Sequence, residues 1–543
     1  MTVAVILATG RIAGGHDPCP TAALPYGDET GDAERPTLLA RLCARLATLK
    51  VPEHHIITRP ELAPALRKDG HDVIESDGTI GDLREIAWLA RRTEEPIVVL
   101  TGDLVTGDEP LARLLLDSRG PATALTGPPP DEATPVRSER GRIASAGSPY
   151  HRVTEPNAGF PGALRVARNR VGALADVADE LASLLADPEA LERLTPEPEP
   201  GGRAAGRAPE TIELLLIGLV RTGVPVARCG DPRLVCRRAA SEEDAAAAKA
   251  ALDAVNEDKI RLAAAVKSND GFFTTFAVST YSRYIARWAA RRGLTPNMVT
   301  SISMGIAVVA AVWFAAGTRT GMIVGGVLFY FSFVFDCVDG QLARYTRQFS
   351  TLGAWLDAVF DRAKEYVVFA GLAVGSTAAA VGTSVHGGDV WGLAVAALAL
   401  QTVRHMIDFS YGASNRVRAA RPLPTMPLTS PDDGATAQAT GQADQPDQPD
   451  QPDQSLVQQP ADEPQGAQPA GSLAARLSRS TSRVRALHWA KKIIVLPIGE
   501  RFALIAITAA LFNARVTFVA LLLWGGVAAL YTLTGRVMRS IAR

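Results

Sequence analysis

Four aspartates stand inside otherwise apolar sequence: Asp336, Asp339, Asp357 and Asp361. An ionised carboxylate at membrane depth costs about 3 kcal/mol on insertion scales, so it is kept where it is paired or holds a cation. Asp336 and Asp339 are spaced i,i+3 and Asp357 and Asp361 i,i+4, so each pair shares one helix face. Gly340, Ala343 and Arg344 fall close to the first face, and Gly353 lies one turn ahead of the second. Two such helices facing each other gather four hard oxygen donors around one point, a set suited to Mg2+ or Mn2+. Four acids with one nearby arginine cannot neutralise each other, which argues against a purely structural polar contact.

The elements that must carry these carboxylates are membrane helices. Six spans are expected, at about 297–316, 321–345, 351–375, 390–411, from near 500 to 512, and 516–535. The first aspartate pair falls on the second span and the other on the third. The fifth span is short unless 493–499 extends it, and Pro497 falls at that junction. Ahead of them, Lys267–Arg292 interleaves Phe272, Phe273, Phe276, Tyr281, Tyr284 and Trp288 with Arg283, Arg287, Arg291 and Arg292, the pattern of an interfacial amphipathic helix. Basic residues crowd the loops on one side of the spans, while the other side holds little more than Arg319 and Arg515. The positive-inside rule then places the N-terminal domain, the aspartates and the C-terminus on the cytoplasmic side of a multi-pass plasma-membrane protein.

The chain has 543 residues, net charge −1 and five cysteines without a paired spacing. No bulk basic character points to nucleic acid, and reduced thiols suit a cytoplasmic domain. Residues 1–240 are expected to form an α/β domain with a mostly parallel sheet. Its strands are Val3–Ala8, His55–Thr58, Asp72–Glu75, Pro96–Leu104 and Val224–Cys229, and its helices are Arg35–Leu49, Thr79–Arg92, Gly162–Ala186 and a packed Thr211–Val220. A Pro/Gly linker runs from about 195 to 209. Residues 241–292 are a helical connector and the amphipathic helix, 293–420 and 472–543 the membrane domain, and 422–471 a low-complexity insert expected to be disordered.

The run D-x2-D-G-x2-A-R-x8-G-x3-D-x3-D from Asp336 to Asp361 resembles the signature of the CDP-alcohol phosphotransferase (CDP-alcohol phosphatidyltransferase) family, with every fixed position filled. The resemblance implies a six-helix, all-α transmembrane domain, usually a homodimer. It transfers a phosphatidyl or phospho-alcohol group from CDP-diacylglycerol or another CDP-alcohol to an alcohol in phospholipid synthesis, releasing CMP. It implies two Mg2+ or Mn2+ ions on Asp336, Asp339, Asp357 and Asp361, with Asp361 also the base for the acceptor hydroxyl. Gly340, Ala343, Arg344, Ser350, Asn297 and Thr300 would contact the CDP donor. Arg404 and Arg501 are charges at span ends; together they suit a phosphorylated acceptor such as inositol phosphate.

The first domain is similar to the nucleotidyltransferases (a Rossmann-like fold). Leu7-Ala8-Thr9-Gly10 keeps the first glycine of their phosphate loop, and Asp103 in T-G-D stands where their metal-binding aspartate follows a buried strand. The pattern after Gly10 departs from the family's. An inactive scaffold, a cytidylyltransferase making a CDP-polyol such as CDP-inositol for the second domain, and a non-catalytic nucleotide-binding membrane protein are the alternatives.

Overall fold

The computed structural model describes residues 2–12, 18–27, 35–118, 120–128, 133–194, 208–267, 270–381, 390–418, 423, 425–430 and 485–541. Most of the expected linker and insert lies outside these residues. The chain divides into two compact units, one built on residues 1–257 with 421–445 and 457–460, the other on 258–420, 446–456 and 461–543.

The first unit is α/β. Its strands are β1 (Val3–Ala8), β2 (His54–Thr58), β3 (Val73–Glu75), β4 (Ile97–Thr101), β5 (Leu104–Thr106), β6 (Ala122–Leu125), β7 (Thr134–Glu139), β8 (Arg142–Ala146), β9 (Ala158–Phe160), β10 (Ala163–Val166), β11 (Val226–Cys229) and β12 (Cys236–Arg238). Ten of them form one sheet in the order β3-β2-β1-β4-β10-β6-β11-β8-β7-β9, while β5 pairs with β12. The half around β1 is parallel, with Ile6 opposite Ile56 on one side and Leu100 on the other. Beyond β4 the sheet turns mixed: β10 runs antiparallel to both β4 and β6, and β7 lies antiparallel between β8 and β9.

The sheet is therefore less parallel than the sequence suggests, and the start of Gly162–Ala186 is strand rather than helix. Four residues, three of them apolar, satisfy either period, and Ala163–Val166 fills the gap between β4 and β6. Alternation along β1 and β4 divides the core. Val5, Leu7, Ile97 and Val99 pack on α2 (Gly78–Arg92), α3 (Val171–Ala186) and α4 (Thr211–Arg221), while Ala4, Ile6, Val98 and Leu100 pack on α1 (Leu38–Thr48). Helix α4 is buried throughout, which explains an apolar run too short to span a bilayer.

Residues 425–430, placed by composition in the coreless insert, belong to this unit. Leu428 is buried among the α2–α4 side chains. His151 donates from Nε2 to the Leu428 carbonyl at 3.0 Å, Arg221 donates to the Pro427 carbonyl at 2.9 Å, and the Met426 amide donates to the Arg221 carbonyl at 2.8 Å. One leucine with three backbone bonds docks a segment whose polar neighbours hide it in the sequence.

The second unit is helical: α5 (Ser279–Arg291), α6 (Pro296–Ala315), α7 (Arg319–Thr346), α8 (Thr351–Val381), α9 (Trp391–Arg418), α10 (Arg485–Val495), α11 (Ile498–Leu511) and α12 (Ala514–Ile541). Helix α5 buries Ser279, Ser282, Ala286 and Ala289 on one face and exposes Tyr284 and Trp288 on the other. Among the described residues, Pro296–Ala315, Arg319–Thr346 and Ala514–Met538 are each long and apolar enough to cross a membrane. Trp489–Val495 and Ile498–Leu511 pass together as a pair bent by 68°. The bend falls at Pro497, which caps α11.

Thr295 and Thr318 cap α6 and α7 by accepting from the Met298 and Gly321 amides. Small residues set the helix spacing. A Cβ on Gly371 would lie 3.0 Å from the Ala311 backbone carbon, and one on Gly375 3.0 Å from that of Phe314, so α8 and α6 touch backbone to backbone. Ser303 and Ser332 donate to each other's carbonyl oxygens at 2.7 and 2.8 Å, joining α6 to α7.

Candidate active site in the helical unit

Helices α7 and α8 bring the motif carboxylates together. Asp336, Asp339 and Asp357 each offer an oxygen, and the three oxygens lie within 4.8 Å of one another. Asp339 is 3% exposed, and its Oδ2 has no hydrogen-bond partner among the described residues. Asp357 is exposed, so the group opens toward solvent on its side. An unpartnered carboxylate oxygen buried beside two further carboxylates is costly unless a cation completes the set. The donors are all hard oxygens and fit a divalent cation of the Mg2+ or Mn2+ type.

Helix α6 supplies the neighbouring wall. Thr300 approaches Asp339 with its hydroxyl while also donating to the Pro296 carbonyl at 3.0 Å. Asn297 lies so near Gly353 that a Cβ there would be 2.6 Å from its Oδ1. Ser350 accepts from the Gly353 amide at 2.9 Å and thus caps α8. Arg344 donates from Nε to the Ala265 carbonyl at 2.5 Å, and a Cβ on Gly340 would lie 3.4 Å from the Arg344 guanidinium. Ala343 is half-buried on the same stretch of α7.

Asp361 adjoins Asp336 of the trio and faces Lys364, one turn further along α8. Lys364 is 0% exposed. Its Nζ pairs with Asp336 and lies 3.6 Å from Asp361 Oδ1. Sequence reasoning missed this residue and its neighbour Glu365. The signal was present, since Asp357, Asp361 and Lys364 share a helix face at i, i+4 and i+7.

Glu365 is 1% exposed and pairs with Arg501, Nε to Oε1 3.0 Å. Arg404 donates to the Val495 carbonyl at 2.8 Å, and Arg501 to the Leu496 carbonyl at 3.3 Å. Both arginines therefore sit at the break between α10 and α11, where a bent helix leaves carbonyls unpaired. With Glu365, Gln401, Phe369 and Leu400 they line one pocket. Arg404 Nη1 and Glu365 Oε2 have no hydrogen-bond partner there among the described residues.

In the α/β unit Gly10 and Asp103 are adjacent: a Cβ on Gly10 would lie 3.3 Å from Asp103 Oδ2. Asp103 is already engaged. Arg238 donates to both of its oxygens at 2.9 Å, and Thr21 donates to Oδ2 at 3.1 Å. A guanidinium thus stands where a metal ion would have to bind.

The helical fold and its acidic centre define a unit with apolar helices long enough to cross a membrane and a carboxylate cluster whose donors suit a cation. Residues 293–429 match the CDP-alcohol phosphatidyltransferase family. It is 38% identical over 106 residues, 19% of this chain and 46% of the relative, to a phosphatidylinositol phosphate synthase of Mycolicibacterium smegmatis. It is 32% identical over 91 residues to an archaetidylinositol phosphate synthase of Pyrococcus horikoshii, covering 17% and 47% of the two chains. A bifunctional IPC transferase and DIPP synthase of Rubrobacter xylanophilus is 35% identical over 83 residues, covering 15% and 18%. The chain spans about half the length or less of these curated relatives. Among solved structures, the inositol-1-phosphate CTP transferase of T. maritima is 14% identical with a TM-score of 0.31, covering 47% of this chain and 98% of that one.

Proposed function

We propose that the protein is an integral membrane CDP-alcohol phosphotransferase, moving a phosphatidyl or phospho-alcohol group from a CDP-linked donor to an alcohol and releasing CMP. The observation that carries this reading is the buried, unpartnered Asp339 oxygen inside the carboxylate trio. Asp336, Asp339 and Asp357 hold a divalent cation of the Mg2+ or Mn2+ type, which when bound neutralises charge on the donor pyrophosphate. Asp361, whose Oδ1 is unpaired by hydrogen bonds, takes the proton of the acceptor hydroxyl. Arg344 lies beside Gly340 at the small-residue face where the CDP moiety approaches, and Asn297 and Thr300 form the opposite wall. Ser350 supports the donor site by capping α8. Ala343 keeps that face open.

Arg404 and Arg501 would contact the acceptor once their pocket, which has room for about one water, widens. Two guanidinium groups, one with a free edge, suit a phosphorylated polyol such as inositol phosphate. The names of the relatives support this acceptor class. The basic loops support a cytoplasmic α/β unit and a cytoplasmic mouth for the site. The engagement of Asp103 by Arg238 favours a non-transferring α/β unit over a bifunctional enzyme. Acceptor-dependent CMP release tests the reading, using purified protein in detergent with Mg2+, CDP-diacylglycerol and, separately, inositol phosphate, inositol, glycerol phosphate or serine. Release with inositol phosphate that Asp361→Asn abolishes is expected. Absence of acceptor-dependent CMP release with every one of these acceptors, and with a CDP-polyol in place of CDP-diacylglycerol, would refute it.

A further inference from the structure

Lys364 is the residue that the proposed chemistry does not use, and it lies at the centre of the site. Its ammonium is fully buried and bridges Asp336 and Asp361. A buried ammonium is kept only where carboxylates surround it, and one that cannot reach solvent cannot easily step aside. Asp336 also belongs to the trio with Asp339 and Asp357, where Asp339 Oδ2 has no hydrogen-bond partner among the described residues. Paired metal sites hold their two cations about 3.5–4 Å apart on shared carboxylates. Here Asp336 is the shared carboxylate, and the position between it and Asp361 already carries a positive charge.

On the strength of the proposed function, we infer that this site takes a single divalent cation, on Asp336, Asp339 and Asp357, and that the Lys364 ammonium is a built-in substitute for the second one. This replaces the two-ion expectation drawn from the motif, which counts carboxylates and is blind to a cation three residues after its last aspartate. The ammonium repels a second divalent ion from the Asp336–Asp361 position and holds the Asp361 carboxylate toward Asp336. Lys364 is thus a positioning residue, and it sets the metal stoichiometry.

The test counts ions without any turnover. The full chain in detergent, as wild type, Lys364→Met and Asp339→Asn, is titrated with Mn2+, and free ion is measured by electron paramagnetic resonance with no nucleotide present. One ion per wild-type chain, two per Lys364→Met chain and a large loss of affinity in Asp339→Asn are expected. Two ions on the wild type overturn the inference and leave the proposed function standing. One ion on both wild type and Lys364→Met also overturns it, because the ammonium then excludes nothing. No ion on the wild type removes the proposed function as well. If Lys364→Met does not fold, the neutral Lys364→Gln takes its place, and the wild-type count decides by itself between one and two.

Discussion

Gly375 is where the spacing of the catalytic helix can be tested. A Cβ at this position would run into the Phe314 carbonyl oxygen and lie 3.0 Å from its carbon and 3.1 Å from the Gly317 amide nitrogen. Carbon packs comfortably at about 3.5–4.0 Å and the carbonyl oxygen is closer still, so Gly375→Ala forces α8 and α6 apart by about 1 Å or more. The contact is with backbone, which has no rotamer to give. Overpacking of this size costs about 1–3 kcal/mol, while alanine returns at most about 1 kcal/mol of helix propensity. A net loss of about 1–2 kcal/mol is expected.

Gly305, on the exposed side of α6, is the control: nothing lies within 4 Å of its added Cβ, so Gly305→Ala should be neutral or gain up to about 1 kcal/mol. The readout is the midpoint of unfolding in detergent, combined with Mn2+ affinity. Helix α8 carries Asp357 and Asp361, and misplacement by 1 Å can cost about 100-fold in turnover. Gly375→Ala should therefore weaken metal binding and CMP release as well as stability. Equal midpoints for the two alanine variants would refute the close-contact argument.

Three further outcomes follow from the geometry. Divalent ions should raise the unfolding midpoint of the wild type, and Asp339→Asn should abolish most of that rise, measured by thermal unfolding with and without Mg2+. Arg404→Ala should raise KM for inositol phosphate at least 10-fold, as expected for losing a charge-assisted bond of about 1.5–3 kcal/mol, with KM for CDP-diacylglycerol unchanged. In the α/β unit, burial pushes His151 down to about 4, with the Arg221 charge acting the same way. The unfolded chain then binds a proton that the folded one refuses, so stability is intact above about 6.5 and falls as pH drops from about 6.5 toward about 4. The loss is about 3 kcal/mol from this one group. Chemical denaturation across that window should show the slope, and His151→Gln should flatten it.

The acidic centre was legible because carboxylates are expensive in apolar sequence and their spacing matches helix periods. Lys364 and Glu365 escaped because their meaning lies in partners on other helices: Asp336 for one and Arg501 for the other. Arg404 and Arg501 stood out as intramembrane charges, yet only the bent α10–α11 pair shows why they meet, since its unpaired carbonyls attract both. In the α/β unit, strands of five or six residues with continuous apolar runs, such as β1 and β4, were readable. The strands from β6 to β9 were not, being short, interrupted by polar residues such as Arg137 and Ser138, and paired at long range. Ala163–Val166 was misassigned because its neighbours in the sheet, and not its own period, decide its state.

The docked segment at 425–430 has a consequence for the order in which the protein is made. Leu428 and the carbonyls that satisfy His151 and Arg221 leave the ribosome some two hundred residues after α4. Helices α6 to α9 are synthesised in between. Until those helices have been made, the α/β unit lacks Leu428 and the carbonyl acceptors at 427 and 428, and a chain cut after residue 257 never acquires them.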